Sequence, residues 1–293
     1  MLDFSHIPSQ QQSTYTFYAT GNWQTFVKPK NAKFLQIFCL GGGGGGAHCT
    51  IGAAGVAGGG GGGASSVTRL LVPAFLLPDN LYILVGNGGT GGTISGAGGN
   101  GNSGGVSYVS LDGTTNEQTL LCKNGISAGG GVTTGTQGTQ GNSSALTLSA
   151  FGNLSLVAVR FGISGSAGGL NIGTPGTSHT ALSSFILTGG MGGGGKTASS
   201  AASGGTVIAA PVILTSNVNA GVNPGDNGKS GYGTFIPFCG TGGSGGAGNY
   251  PTGAGGKGGD GWYGCGGGGG GAGDTVGGNG GNGGDGLVII TVI

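Results

Sequence analysis

The sequence predicts an all-β protein: a β-sandwich-like unit with packed polyglycine-II helices and glycine-rich loops, and almost no α-helix. Three observations carry this reading. Glycine fills 81 of 293 positions, and each glycine costs a helix interior about 1 kcal/mol relative to alanine. Short runs of β-branched and aromatic residues recur between the glycines, and such runs read as strands. The glycine tracts themselves repeat with a period of three.

The strand candidates follow in chain order. "STYTFYATGNW" alternates and ends at a turn, and "AKFLQIFCL" is an apolar run bounded by "KPKN" and by glycines. "SSVTRLLVPAF" and "NLYILVGN" read as a strand pair joined through prolines. "GGVSYVSLDG", "TLLCKNG", "SALTLSAFGNLSLVAVRFGI" and "SSFILTGG" are weaker signals, and "GLVIITVI" closes the chain. These runs supply enough apolar surface to offset chain entropy, which sets the chain apart from a flexible Gly/Ser linker.

The glycine tracts need their own account. In "GGNGGNGGDG" the side chains fall at Asn279, Asn282 and Asp285; in "AGGKGGDG" they fall at Ala254, Lys257 and Asp260. "TGGSGGAG" and "NGGTGGT" repeat the spacing at Thr241, Ser244 and Ala247, and at Asn87, Thr90 and Thr93. Period three matches an extended left-handed helix with three residues per turn and ~3.1 Å rise. Every third residue then lies along one edge, and the other two edges are glycine and admit close neighbours. Such a helix has no internal hydrogen bonds, so its amides require lateral partners. Several tracts are therefore expected to form a packed bundle beside a β-sheet unit. Residues 13–293 read as one domain, strand-rich over 13–235 and glycine-rich over 236–293. Residues 1–12 read as an arm or tether that docks on another protein, or as a frayed terminus.

Charge and cysteine usage narrow the function. Charged residues make up 6% of the chain and net charge is +1, so no basic patch exists for nucleic acid. "MLDFSHIPSQQQ" has neither a basic n-region nor an apolar h-region, so no signal peptide is expected. No apolar stretch has membrane-spanning length. The five cysteines show no C-x-x-C and read as reduced, small apolar residues. Cys39, His48 and Cys49 lack a second ligand pair, so no metal site is expected.

Three catalytic-looking motifs are weak. Gly190 to Thr197 fits the P-loop pattern, but "KTASSAASGG" is too short and too glycine-broken for the helix that a P-loop needs. Gly86, Gly88 and Gly91 fit G-x-G-x-x-G, with Asp112 downstream, yet no helix can open there. Ser103 and Ser244 fit G-x-S-x-G without a strand-to-helix elbow or a partnered histidine among His6, His48 and His179. No enzymatic activity and no cofactor are expected.

The two ends of the chain resemble glycine-rich domains of bacteriophage tail-fibre proteins. The matching positions are Phe17, Gly21, Trp23, Pro29, Ile37 and Gly41 to Gly46, with "LPDNLYILVGNGGTGG" as a second element and "GGNGGDGLVIITVI" as the closing strand. The resemblance is strongest over 13–108 and 277–293. The tracts also resemble those of tip adhesins on T-even-type phage fibres, although 109–235 has less glycine than those bundles. The resemblance implies a non-enzymatic virion structural protein, assembled in the host cytoplasm, that serves as a tail fibre or receptor-binding adhesin. Its expected partners are other virion proteins (fibre, tail or capsid) and a host surface receptor or glycan, with no nucleic acid and no membrane insertion. A homotrimer is the assembly that goes with a fibre.

On that analogy the recognition residues lie in non-glycine insertions: Tyr232, Phe235, Phe238, Tyr250, Trp262 and Tyr263. Aromatics supply stiff contact area and stack on sugars; the alternative is that they pack over the bundle or against a partner subunit. The competing functions are capsid decoration, ice binding along the Thr90/Thr93 edge, and a cell-wall glycine-rich protein.

Overall fold

The computed structural model describes residues 13–49, 51–52, 55–93, 99–126, 142–144, 156–160, 162–180, 187–208, 216–235 and 238–293. Much of "SALTLSAFGNLSL" and of "SSFIL", together with residues 1–12, lies outside them. The strands are β1 (Ser13–Phe17), β2 (Gln24–Val27), β3 (Phe34–Leu40), β4 (Val67–Pro73), β5 (Asn80–Leu84), β6 (Ser107–Ser110), β7 (Leu120–Ile126), β8 (Asn142–Ser144), β9 (Leu156–Arg160), β10 (His179–Thr180), β11 (Val207–Ile208), β12 (Gly233–Phe235), β13 (Phe238–Gly240) and β14 (Leu287–Val292). The fold is all-β: one 3-10 turn at Ala74–Leu76 is the helical content of the described residues.

Two five-stranded antiparallel sheets form the sandwich, in the orders β1-β14-β3-β4-β9 and β2-β5-β6-β7-β8. One apolar cluster joins them. Leu35, Ile37, Leu70, Val288 and Ile290 come from the first sheet, and Phe26, Leu81, Ile83, Val109 and Leu121 from the second. The period-two alternation of β3 ("eBiBiBB") and β5 ("eBiBi") places these residues inward. The expected pairing of "SSVTRLLVPAF" with "NLYILVGN" does not occur. β4 pairs with β3 and β9, while β5 pairs with β2 and β6. Pro73 ends β4, and the 3-10 turn carries the chain across to the other sheet, since proline cannot extend a ladder.

A buried polar link crosses the sandwich. Thr68 on β4 donates to Asn124 Oδ1 on β7 (2.7 Å), and Asn124 Nδ2 donates to the Cys39 carbonyl on β3 (2.8 Å). Asn124→Ala leaves the Thr68 hydroxyl without its acceptor in a dry interior. A loss of about 1–3 kcal/mol is expected in denaturant unfolding, and an unchanged midpoint would exclude this role.

The glycine tracts run away from the sandwich and back. Tract 41–49 leaves β3 and tract 56–65 returns to β4; tract 86–93 leaves β5 and tract 99–106 returns to β6. No hydrogen bonds form within a tract; consecutive residues reach different neighbours. Gly42, Gly45 and His48 donate to Gly105, Asn102 and Gly99. Gly43, Gly46 and Cys49 donate to Gly284, Gly281 and Gly278, and Gly44 and Ala47 donate to Gly63 and Gly60, all at 2.8–3.0 Å. Every third residue thus faces the same neighbour, which is polyglycine-II packing.

Tract 265–272 is the most enclosed. It donates to tracts 187–196, 41–49 and 254–262, and accepts from tracts 56–65, 240–249 and 277–286. With neighbours on every side, no edge is free for a side chain, and 266–271 are six consecutive glycines. A Cβ built on Gly266, Gly267 and Gly268 would fall well under 3 Å from the carbonyls of Gly62, Gly281 and Ser244 in turn. The pattern repeats on Gly269, Gly270 and Gly271 with Gly59, Gly278 and Ala247. Tracts with an open side carry the G-G-x pattern instead: Ala254, Lys257, Asn282 and Asp285 are exposed, whereas Thr241, Ser244 and Ala247 in the G-G-x tract 240–249 are buried, with Ser244 Oγ bonded to neighbouring backbone. The packed tracts come from both sides of the 235/236 division that composition suggests.

Candidate functional site

The turn that links tracts 254–261 and 265–272 lies at the sandwich end of the bundle. Gly264 adopts a φ of +68°, and a Cβ there would collide with the Leu40 side chain. Only glycine fits, so the chain reverses sharply and leaves Trp262 and Tyr263 just before the reversal. The two rings meet edge to face, with centroids 5.4 Å apart at 77°, and Tyr18, just after β1, lies 6.3 Å from Tyr263. The Trp262 indole also covers Gly233 and Gly240 of the β12–β13 hairpin, where any Cβ would strike the ring.

Beside these aromatics runs a row of third-position side chains. Asp285 Oδ1 accepts the Gly88 N–H (2.7 Å), and Asn282 Oδ1 accepts the Gly91 N–H (2.9 Å). Asp260 Oδ1 accepts the Asn282 N–H (2.8 Å) and the Lys257 ammonium (3.2 Å). At this face no further tract among the described residues receives these amides, and the edge side chains receive them instead. Row and aromatics share an open groove of about 460 Å³, lined by Gly88, Thr90, Trp262, Tyr263, Asn282 and Asp285 among others. Burial, then Tyr18 and Asp285, raise the Tyr263 pKa above the usual phenol value, so its hydroxyl remains protonated.

Of the six aromatic candidates, Trp262 and Tyr263 therefore come together on one groove. Tyr232 is elsewhere, packed on Met191, Val207, Val218 and Cys239, with its hydroxyl bonded to the Ser216 backbone. Tyr250 is half-buried in a turn at the far end of the bundle. Phe235 and Phe238 face each other in the β12–β13 hairpin, and their side chains are outside the described residues. Tyr18, Asn282 and Asp285 were not singled out from the sequence; the signal for the last two was the period of three itself.

The motif residues take structural roles. In the P-loop match, Gly190, Met191, Gly193, Gly194 and Lys196 donate their N–H groups to Gly62, Gly243, Gly59, Gly246 and Val56. None of these amides is left for phosphate, and the Lys196 ammonium is buried against Asp274 (2.8 Å). Gly88 and Gly91 are held as described above. Ser244 Oγ donates to the Asn219 carbonyl (2.7 Å) and accepts the Lys229 N–H (2.7 Å). Cys39 lies in β3, before tract 41–49, and Cys49 lies at that tract's far end, roughly 30 Å away at ~3.1 Å per residue, so they cannot share a metal. The described residues hold no group of three His, Cys, Asp or Glu side chains suited to a metal ion, and no helix among them is long and apolar enough to cross a membrane.

His48 is buried at the end of its tract, and among the described residues neither ring nitrogen has a hydrogen-bond partner. Burial pulls its pKa below the ordinary 6.5 and outweighs the Gly277 backbone beside the ring, which favours the charged form. The unfolded chain takes up a proton near pH 6.5, and the folded chain resists it. Stability is thus expected to fall as pH drops below about 6.5 and to level off below the folded-state pKa. Thermal unfolding between about pH 7.5 and 5 measures this. A His48→Asn variant should flatten the profile over the part that His48 controls, and an identical profile in that variant would remove His48 as the cause.

A family model described as a glycine-rich domain matches residues 18–292. The chain belongs to that family. The match begins just after β1 and ends within β14, so this glycine-rich domain takes in both the sandwich and the bundle. No curated protein matches the chain.

Proposed function

We propose that this glycine-rich domain is a non-enzymatic structural protein of a bacteriophage virion, a tail-fibre or receptor-binding adhesin that presents a rigid surface for host attachment. The observation that carries the reading is the bundle. Its backbone amides bond between tracts, so the scaffold depends little on side chains, and the turns are free to vary without disturbing it. The turns at the end remote from the sandwich gather together. Ile51 bridges to Gly273, Asp274 bonds to Gly253, and Gly173 packs on Thr197 and Ser200. Leu170, Ile172 and Val222 in these turns are 58%, 67% and 70% exposed, a tip with apolar contact area to offer a partner.

In this reading the partners are other virion proteins and a host surface receptor or glycan, and the protein assembles in the host cytoplasm, as a homotrimer in a fibre. Immunogold electron microscopy of particles is the test. Label on tail fibres or the tail tip is the expected result. Label over capsid faces would make it a decorating or minor capsid protein. No particle-bound label would refute the virion reading and return ice binding and cell-wall structure as the alternatives.

A further inference from the structure

The groove at the sandwich end of the bundle has a composition of its own. Two aromatic residues, Trp262 and Tyr263, line it together with Thr90, Asn282 and Asp285. Asn282 and Asp285 each spend one oxygen on a tract amide, at 2.9 and 2.7 Å. Those bonds fix the side chains on a rigid scaffold. Among the described residues, the Asn282 amide nitrogen and the second Asp285 oxygen have no protein partner. A fixed donor and a fixed acceptor thus face solvent beside aromatic surface. The volume of about 460 Å³ falls within the range of small-ligand sites, roughly 300–1,000 Å³. No lysine or arginine lines the groove, so phosphate, sulfate and nucleotides lack a counter-charge, and Asp285 repels anions.

We propose that this groove binds a neutral saccharide. A pyranose has an apolar C–H face that covers an aromatic ring and a rim of hydroxyls that both donate and accept. The arrangement of Trp262 and Tyr263 against Asn282, Asp285 and Thr90 matches both halves of that chemistry. The inference rests on the attachment reading only for where the glycan resides.

The test uses the purified full chain, with intrinsic tryptophan fluorescence and saturation-transfer NMR. The probes are methyl glucoside, maltose and lactose, with sialyllactose as the anionic comparison. Saturable binding of a neutral probe near ~1 mM is expected for a single open groove, with sialyllactose at least about tenfold weaker. Thr90→Arg, which fills the groove from a solvent-facing position and gives up only the exposed bond that Thr90 Oγ1 accepts from Asn102 Nδ2 (2.6 Å), should weaken neutral-sugar binding about tenfold or more with the chain still folded and little change in melting temperature. Asp285→Asn retains the oxygen that caps Gly88 and should narrow the gap between lactose and sialyllactose. No saturable binding by the folded chain, binding untouched by Thr90→Arg, or sialyllactose bound as tightly as lactose would each overturn the proposal. Attachment is read separately, from soluble sugar competing labelled protein off host cells. Sugar binding without competition would leave the groove assigned and confine host attachment to the remote turns.

Discussion

Gly268→Ala is expected to destabilise the protein by roughly 3–5 kcal/mol, from overpacking of about 1–3 kcal/mol together with hydrogen bonds lost at about 1–3 kcal/mol each. The added methyl would fall well under 3 Å from the Ser244 carbonyl. Relief requires tract 240–249 to move. That tract is fixed in turn by its bonds to 202–205, 226–232 and 266–272, so the shift cannot remain local. Gly268 also donates to Gly259 and accepts from Gly281, and both bonds are stretched by the same movement. Thr90→Ala, at an outward third position, provides the comparison and should cost within about 1 kcal/mol. Thermal and denaturant unfolding of the two variants measure the difference, and equal midpoints would mean that the tract is not enclosed as described.

The second large effect concerns the buried ion pair. Lys196 is fully buried and its ammonium has Asp274 at 2.8 Å, while the Asp274 side chain is 26% exposed. The two members are therefore unequal. Asp274→Ala strands a charge in a dry site and is expected to cost about 2–4 kcal/mol, near the lower end for broken buried pairs because water reaches Asp274. Lys196→Met leaves a carboxylate that water can still solvate and should cost less. The double variant should recover most of the loss from Asp274→Ala, since a buried pair replaced by apolar groups is often close to neutral. A double-mutant cycle on unfolding midpoints decides the matter. A double variant no more stable than Asp274→Ala alone would contradict this account.

Much of the architecture was legible in the sequence. β3, β5 and β14 appear as apolar runs because their inward residues alternate in a way that only a strand explains. The polyglycine-II bundle was legible in Asn279, Asn282 and Asp285 and in Ala254, Lys257 and Asp260, because a free edge leaves a side chain at every third position. Which tracts adjoin was not legible. Glycine carries no label for its neighbour, so nothing in "GGGGGGA" distinguishes the enclosed tract 265–272 from tract 41–49. The pairing of β1 with β14, which brings the described start of the chain beside its end, is likewise set by topology. The proline-joined strands separated into different sheets because Pro73 marks a crossing and not a hairpin. At the groove, Trp262 and Tyr263 were visible as aromatics amid glycine, but their neighbour Tyr18 is more than 200 positions away in sequence. Asp285 and Asn282 read as spacers; their work as amide acceptors emerges only where tract 86–93 lies alongside.

Amide hydrogen exchange across the glycine tracts tests the central claim, that glycine here forms an ordered scaffold and not a linker. Residues 266–272 are expected to exchange as slowly as β3 and β14, with the outward third positions faster and the remote turns fastest. Exchange of 266–272 at the rate of an unstructured chain, with the sandwich strands still protected, would contradict the bundle and the attachment surface built on it.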